Sequence, residues 1–150
     1  MLIIGGSLGA KVFNEIIPRA IYLLNKNLDR EINIIHQAGK TKIIAETQYN
    51  NVNVKYKVEE YINSMKEIYE WSDIIICRGG AITISELMVF GVPAIIVPYP
   101  YATDDHQMKN SRYLESKEAA IVIDQENFTE TYLAKILKSL IENSKIRKTL

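Results

Sequence analysis

The chain has 150 residues, 47% hydrophobic and 24% charged, a composition typical of one globular domain. Lysine plus arginine and aspartate plus glutamate number 18 each, so the chain lacks the excess of positive charge that would indicate a nucleic-acid partner. The single cysteine excludes an internal disulfide framework and an all-cysteine metal site. Apolar runs are strand-sized, well short of the ~20 residues of a membrane span, and no basic-then-apolar leader precedes them, so we expect a cytosolic chain.

Strand-like and helix-like segments alternate along the chain. Short apolar runs predict strands at residues 2–4, 32–36, 52–56, 74–77, 94–97 and 119–123. The stretches between them predict helices at residues 10–24, 41–49, 62–71, 83–90 and 107–116, with a last helix at 129–143. This alternation predicts an α/β fold, a Rossmann-like parallel sheet of about six strands with helices on both faces. Because the chain opens directly on a strand pattern and closes on the start of a helix, we expect a domain of a longer protein.

The segment between the first strand and the first helix is rich in glycine. Gly5, Gly6 and Gly9 allow a tight turn and a close approach of a phosphate to the backbone, and Ser7 can donate its hydroxyl. The glycine spacing differs from the dinucleotide-binding fingerprint, and no Lys-Ser/Thr pair follows, which excludes a P-loop. We expect this segment to contact a ligand phosphate; the alternative is a plain turn from strand to helix.

A second pair of glycines, Gly79 and Gly80, follows the fourth predicted strand. The helix that begins after them supplies free N–H groups and a partial positive charge, which suit an anion. Glu86, one turn into that helix, suits a sugar hydroxyl. The segment therefore indicates a phosphate flanked by a sugar, as in a nucleotide. The alternative is a capping box, with Thr83 as N-cap and Glu86 reaching back to it.

Polar side chains open the fifth predicted helix. Gln107 and Asn110 lie three residues apart on one face, next to His106, and side-chain amides suit sugar hydroxyls and an acetamido group. The simpler alternative is Asp104 as N-cap with Gln107 at the third helical position. Asp104, Asp105 and His106 could also hold a metal, but adjacent residues on one turn rarely converge on one ion. We therefore predict no metal site.

No nucleophile–base–acid arrangement stands out in the sequence. His36, at the end of the second strand, could act as an acid or base, but a structural histidine is the favoured interpretation. Cys77, in an apolar strand, is expected to be an inert buried thiol. Tyr61 could flank a base, with an ordinary core tyrosine as the alternative. We therefore predict no catalytic residue, and we interpret the chain as a nucleotide-sugar-binding half with its catalytic base elsewhere.

Six segments occur in the same order in the MurG family: residues 5–10, 36–40, 61–65, 72–86, 91–94 and 106–110. Over nearly its whole length the chain resembles the C-terminal, donor-binding domain of these two-domain GT-B enzymes. The resemblance implies that residues 1–150 form a UDP-sugar-binding domain whose N-terminal acceptor domain is absent. The activity it implies is an inverting transfer of N-acetylglucosamine from UDP-N-acetylglucosamine to lipid I. This transfer forms lipid II in peptidoglycan synthesis and uses no metal or other cofactor.

The resemblance also implies roles for individual residues. Four would lie by the donor phosphates: Ser7, Ala81, Ile82 and Thr83. Ile62 would contact uracil through its backbone, with Tyr61 beside the base. Leu8 and Gly80 depart from the family pattern, since many members carry Gln and Ser there.

The sugars of the donor would meet a second set of residues. Glu86 would accept hydrogen bonds from the ribose hydroxyls. His106 and Gln107 match a pair that contacts the N-acetylglucosamine, and Asn110 lies one turn further on; His106 replaces a Gln of some members.

The resemblance finally implies partners and a location. Lipid I and the membrane would be bound through the missing domain, and the full-length protein would lie in the cytoplasm at the inner face of the cell membrane. The fragment alone would transfer nothing. Two alternatives stay open: a stand-alone UDP-N-acetylglucosamine-binding subunit of a two-subunit transferase, and a lipid glycosyltransferase with another UDP-hexose donor.

Overall fold

The computed structural model describes residues 1–6, 9–26 and 28–150. Within these ranges six strands form one parallel sheet: β1 (Leu2–Ile4), β2 (Asn33–Gln37), β3 (Lys55–Glu59), β4 (Ile75–Cys77), β5 (Ala94–Ile96) and β6 (Ile121–Val122). The helices are α1 (Lys11–Asn25), α2 (Lys42–Tyr49), α3 (Met65–Trp71), α4 (Ala81–Phe90), α5 (His106–Ser116), α6 (Glu130–Glu142) and α7 (Ser144–Thr149). None of the helices in the described ranges combines the length and apolar character that crossing a membrane requires.

Side chains alternate between the two faces along each strand, so the sheet presents apolar side chains on both faces. Helices cover both of these faces. On one face, α1, α2 and α6 pack their buried apolar side chains in a cluster with Ile3 and Ile76. On the other face, α3, α4 and α5 do the same with Leu2, Ile4 and Ile75. Strands buried on both sides explain the unbroken apolar runs in the sequence. The predicted α/β fold class is confirmed.

The strand order is β3-β2-β1-β4-β5-β6. The chain builds outward from β1 to β3, then returns to the centre and places β4 against the other side of β1. The two connections that leave the carboxyl ends of β1 and β4 therefore diverge to opposite faces. In open α/β sheets the crevice at this switch point is where ligands bind.

Strand β3 is the element whose sequence prediction was least accurate. It begins at Lys55, three residues later than residues 52–56 predicted. Val52 is buried, but it lies in the turn before the strand and packs in the core from there. The strand itself is the edge of the sheet, and only Val58 within it is buried. Apolar content therefore marked the buried turn and missed the polar edge strand.

Two helix starts also differ from the prediction, with consequences for the cleft. Helix α3 begins at Met65, so Ile62 lies in the loop before it. Helix α4 begins at Ala81, two residues earlier than predicted, with Gly80 as its N-cap. Thr83 is therefore the third helical residue, and the predicted capping box of Thr83 and Glu86 is wrong.

Candidate functional site

An open cleft of about 670 Å³ lies beyond the carboxyl ends of β1 and β4, at the switch point. The loop after β1, the first turns of α1, the loop after β4 and the starts of α4 and α5 form its walls. Six of the residues singled out in the sequence line it: Gly5, Gly6, Gly9, Gly80, Thr83 and Gln107. The tertiary structure thus brings three sequence-distant segments to one cleft.

Backbone hydrogen bonds hold the loop after β1, together with the Gln37 side chain, whose Nε2 donates to the Gly6 carbonyl at 3.1 Å. The Gly9 N–H donates to the Gly6 carbonyl at 2.9 Å, and the Gly5 N–H donates to the Gln37 carbonyl at 3.3 Å. Gly6 has φ +83° and open space where a side chain would stand. Gly9 has φ +75°, and a Cβ on it would lie 2.1 Å from the Ala38 carbonyl oxygen. The loop therefore requires glycine at position 9, because it packs closely against the segment after β2 there. At Gly6 the absence of a side chain leaves space in the cleft. The predicted phosphate ligand Ser7 lies outside the described residues.

The two glycines after β4 have different surroundings. Gly79 is buried, and a Cβ on it would lie 2.4 Å from the Ser111 Oγ and 2.5 Å from the Gln107 carbonyl oxygen. Asn110 Nδ2 also donates to the Gly79 carbonyl, at 3.3 Å. Gly79 is therefore pressed against α5. Gly80 lines the cleft, and a Cβ on it would lie more than 4 Å from every atom of the described residues apart from its own chain neighbours and helix.

The start of α4 presents free backbone donors beside Gly80. The first intrahelical bond runs from the Ile84 N–H to the Gly80 carbonyl, at 2.9 Å. The N–H groups of Ala81, Ile82 and Thr83 consequently have no partner inside the helix. Among the described residues, no side chain caps this end. Because free N–H groups and the helix dipole both favour negative charge, this helix start can bind an anion.

Arg78 is a residue of the cleft to which the sequence analysis assigned no role. Its Nη1 donates to the carbonyls of Val97 and Pro98 at 3.0 and 3.3 Å, and its Nη2 donates to the Gln125 Oε1 at 2.8 Å. The guanidinium also lies over the rings of Phe13 and Tyr99, 4.7 and 5.5 Å from their centroids. An arginine directly after a buried strand and before two glycines was the available sequence signal.

The charge of Arg78 has no carboxylate partner within the described parts of the chain. Partial burial lowers the pKa of its guanidinium to about 10, so the group remains protonated at neutral pH. The wall of the cleft therefore carries a partly desolvated positive charge whose hydrogen-bond partners among the described residues are all neutral. Such a charge attracts an anionic ligand more strongly than an exposed arginine would.

Glu86 is half-buried on α4, one turn beyond the free N–H groups. Its Oε2 accepts from the Tyr69 hydroxyl at 2.9 Å. The Tyr69 ring stacks on Phe90, with 4.9 Å between the ring centroids and 5° between the planes.

Ile62 is buried in the same apolar cluster as Tyr69, so contact with a ligand would come from its backbone. Tyr61 is 63% exposed, and the core alternative for this residue is wrong.

Of the predicted residues on helix α5, Gln107 lines the cleft, whereas His106 and Asn110 are not part of its lining. Gln107 Oε1 accepts from the Tyr99 N–H at 3.0 Å, which leaves the two donors of its Nε2 available. His106 is exposed, and its Nδ1 lies against the Thr103 carbonyl. The N-cap is Asp105, with φ 56° and no side-chain bond, so the N-cap predicted at Asp104 is wrong.

His36 and Cys77 lie inside the protein rather than at the cleft. His36 is fully buried, with its Nδ1 3.2 Å from the Tyr49 hydroxyl, and burial lowers its pKa to about 3. Burial likewise raises the pKa of the Cys77 thiol to about 12. A neutral histidine and a protonated thiol agree with the structural roles expected for them. Among residues 1–6, 9–26 and 28–150, no three His, Cys, Asp or Glu side chains are grouped so as to hold a metal.

The sheet order defines the class of the protein, a doubly wound Rossmann-like domain with an open cleft at its switch point. Residues 1–149 match the model of the glycosyltransferase family 28 C-terminal domain. The chain belongs to this family.

Its relatives include two curated bacterial proteins, each named UDP-N-acetylglucosamine–N-acetylmuramyl-(pentapeptide) pyrophosphoryl-undecaprenol N-acetylglucosamine transferase. The one from Psychromonas ingrahamii is 44% identical over 148 residues, which are 97% of this chain and 41% of that protein. The one from Marinobacter nauticus is 42% identical over 146 residues, 97% of this chain and 40% of that protein. Among solved structures, Acinetobacter baumannii MurG superimposes with a TM-score of 0.87 at 37% identity, over 98% of this chain and 42% of that one. The chain thus spans about two fifths of the length of its relatives.

Proposed function

We propose that this chain is the donor-binding C-terminal domain of an inverting glycosyltransferase. The full-length enzyme would move N-acetylglucosamine from UDP-N-acetylglucosamine to lipid I and so form lipid II for peptidoglycan. The observation that carries the proposal is the cleft itself. Its lining includes both the start of α4, with its free N–H groups, and Arg78, which has no carboxylate partner among the described residues. Membership of family 28 and the transferase names of the relatives support it.

The donor diphosphate would bind at the start of α4. The N–H groups of Ala81, Ile82 and Thr83 would donate to it, and Gly80 would let it approach the backbone. The charge of Arg78 would balance part of the charge on the diphosphate. These groups would stabilise the negative charge that grows on UDP as it leaves, which is how a preorganised site lowers a barrier.

Across the cleft, the loop after β1 would close over the same phosphates. Gly5, Gly6 and Gly9 would shape this loop, and Ser7 would donate its hydroxyl. No residue of this chain is proposed as the base, and the attacking 4-hydroxyl of the acceptor would be activated from the other domain.

The uridine and the N-acetylglucosamine would lie on either side of the diphosphate. Glu86 would accept from the ribose hydroxyls, and the backbone of Ile62 would contact uracil. Gln107 would donate to the sugar from its Nε2, because its oxygen already accepts from Tyr99. His106 and Asn110 would complete the sugar site.

The remaining parts of the activity would come from the rest of a longer protein. Its relatives are more than twice as long as the matched region, which supports a second, N-terminal domain. That domain would bind lipid I and attach the protein to the inner face of the cytoplasmic membrane. This chain alone would bind donor weakly and transfer nothing.

Calorimetry on the chain tests the proposed donor. We expect UDP and UDP-N-acetylglucosamine to bind, with UDP-glucose and UDP-galactose binding more weakly than UDP-N-acetylglucosamine. Absence of uridine nucleotide binding at millimolar ligand, with the domain folded, would refute the proposal. Tightest binding of UDP-glucose or UDP-galactose would favour a different UDP-hexose donor.

A variant tests the proposed sugar contact. Gln107→Ala should weaken UDP-N-acetylglucosamine binding roughly tenfold while UDP binding falls less, since a hydrogen bond to the sugar is lost. Gln48→Ala is the matched control, because Gln48 Oε1 also accepts one hydrogen bond, from Arg19 on an exposed surface. Equal losses for UDP and UDP-N-acetylglucosamine in Gln107→Ala would contradict this role.

A further inference from the structure

Beside the cleft, a buried tyrosine holds the carboxylate of Glu86. The Tyr69 side chain is fully buried, and its hydroxyl donates to Glu86 Oε2 at 2.9 Å. No described residue donates to the other oxygen, Oε1. The carboxylate therefore has one oxygen bound to the protein and one free to accept from a ligand.

The position of the Tyr69 hydroxyl is set by packing. Its ring belongs to the apolar cluster between the sheet and α3, α4 and α5. The same ring lies parallel to Phe90, 4.9 Å away, so it cannot rotate without breaking this stack. Burial raises the pKa of the phenol well above its ordinary value, so the hydroxyl keeps its proton and always donates. Because the Tyr69 hydroxyl has a fixed position, it also restricts the position of the Glu86 carboxylate that it binds.

We propose that Tyr69 is a positioning residue that aims Glu86 Oε1 at the ribose and so makes the site select ribonucleotides over 2′-deoxyribonucleotides. A glutamate on a helix has three rotatable bonds, and holding one oxygen removes most of that freedom before a ligand arrives. The remaining oxygen is then preorganised to accept from vicinal hydroxyls. The inference rests on the proposed function, because it takes the ligand to be a uridine nucleotide with its ribose at Glu86.

The test compares UDP with 2′-deoxy-UDP by calorimetry on the chain and on Tyr69→Phe. The substitution removes only the hydroxyl and keeps the ring on Phe90. We expect the wild-type chain to bind UDP more tightly than 2′-deoxy-UDP. In Tyr69→Phe we expect UDP binding to weaken roughly tenfold and 2′-deoxy-UDP binding to change little, so that the ratio of the two falls.

Tyr49→Phe is the matched control. Tyr49 is also a fully buried tyrosine with one side-chain partner, the Nδ1 of His36, but it packs on the opposite face of the sheet. Its loss should reduce stability without moving the UDP to 2′-deoxy-UDP ratio. A purely structural role for Tyr69 would produce the same result in Tyr69→Phe, and that result would overturn the inference.

Removing Glu86 shows whether Tyr69 acts through it. Glu86→Ala should lower the ratio at least as far as Tyr69→Phe does, and the double variant should lower it no further. A further, additive loss in the double variant would overturn the inference. So would a wild-type chain that binds both nucleotides equally. Absence of UDP binding by the wild-type chain would overturn the proposed function and this inference together, whereas UDP binding with an unchanged ratio in Tyr69→Phe overturns the inference alone.

Discussion

The two loops that flank the cleft are both rich in glycine, but different interactions hold them. In the loop after β1, Gly9 lies against the Ala38 carbonyl and donates to the Gly6 carbonyl, which also accepts from Gln37 Nε2 at 3.1 Å. The loop after β4 depends on a side chain, Arg78, which donates to carbonyls after β5 and to Gln125. The loop after β1 is therefore held by the end of β2 and the segment after it, whereas the loop after β4 is held by segments much further along the chain.

The difference predicts how each loop responds to substitution. A new side chain that meets backbone has no flexible neighbour to displace, so the cost falls on the fold. A new side chain that meets open space causes no clash, so apart from any backbone strain at a positive φ its effect is confined to the cleft. Gly9 and Gly79 belong to the first group and Gly6 and Gly80 to the second.

The largest effect is expected for Gly9→Ala. The new Cβ would meet the Ala38 carbonyl oxygen at 2.1 Å while the backbone keeps φ +75°. Steric clash and strain together should lower the free energy of unfolding by about 3 kcal/mol or more. Urea denaturation measures this. Gly6→Ala is the control, because φ is +83° there but the described part of the chain places nothing within 4 Å of the new Cβ, so about 1 kcal/mol of strain remains. Equal losses of unfolding free energy in the two variants would show that the close contact between Gly9 and the segment after β2 does not determine the stability of this loop.

The second largest effect is expected for Gly79→Ala, which should lower the free energy of unfolding by about 2 kcal/mol in urea denaturation. Its Cβ would meet the Ser111 Oγ at 2.4 Å and the Gln107 carbonyl oxygen at 2.5 Å. Adding Ser111→Ala removes the first of these contacts, so the double variant should recover part of the loss. No loss in Gly79→Ala would contradict the packing of α5 on this loop.

Arg78→Met should lower the free energy of unfolding by about 1–2 kcal/mol, because the Val97 and Pro98 carbonyls lose their donor. The same variant should weaken UDP binding by roughly tenfold and uridine binding much less, since only UDP carries the diphosphate. Calorimetry with both ligands checks this. Arg19→Met is the control, because Arg19 is exposed on α1 and its one hydrogen-bond partner among the described residues is Gln48. Equal weakening of UDP and uridine would assign Arg78 a structural role alone.

The smallest effect, and a stabilising one, is expected for Gly80→Ser. Gly80 is the N-cap of α4 in an extended conformation, φ −66° and ψ 144°, which any residue can adopt. A serine hydroxyl can accept from a free N–H of the first turn and should raise the free energy of unfolding by a few tenths of a kcal/mol. Thermal denaturation resolves such a shift. Destabilisation by Gly80→Ser would contradict the open space that the described residues leave beside Gly80.

The parallel sheet could be predicted from the sequence because its signals are local. Buried strands such as Ile75–Cys77 are unbroken apolar runs, and an amphipathic helix such as α1 repeats its apolar residues every three or four positions. The edge strand β3 could not be placed in the same way. Exposure on the edge removes the apolar signal, and the buried Val52 in the preceding turn imitates one.

The candidate site was predictable in its segments and not in its contacts. Glycines after β1 and β4 and the polar start of α5 are visible in the sequence, because parallel strands bring their carboxyl ends to one edge. The sequence did not separate Gly79 from Gly80, since one packs on α5 and the other faces the cleft. It also did not show the contacts of Arg78, whose hydrogen-bond partners lie 19 to 47 residues away.

By itself, then, the sequence determined the alternation of strands and helices, the parallel sheet and the three segments at the cleft. These properties follow from apolar periodicity and from the backbone preferences of glycine, which act between near neighbours. Only the tertiary structure decided where α4 begins, which glycine is pressed against a helix, and that Tyr69 holds Glu86. Each of these depends on a distance between atoms of separate elements, and packing sets such distances.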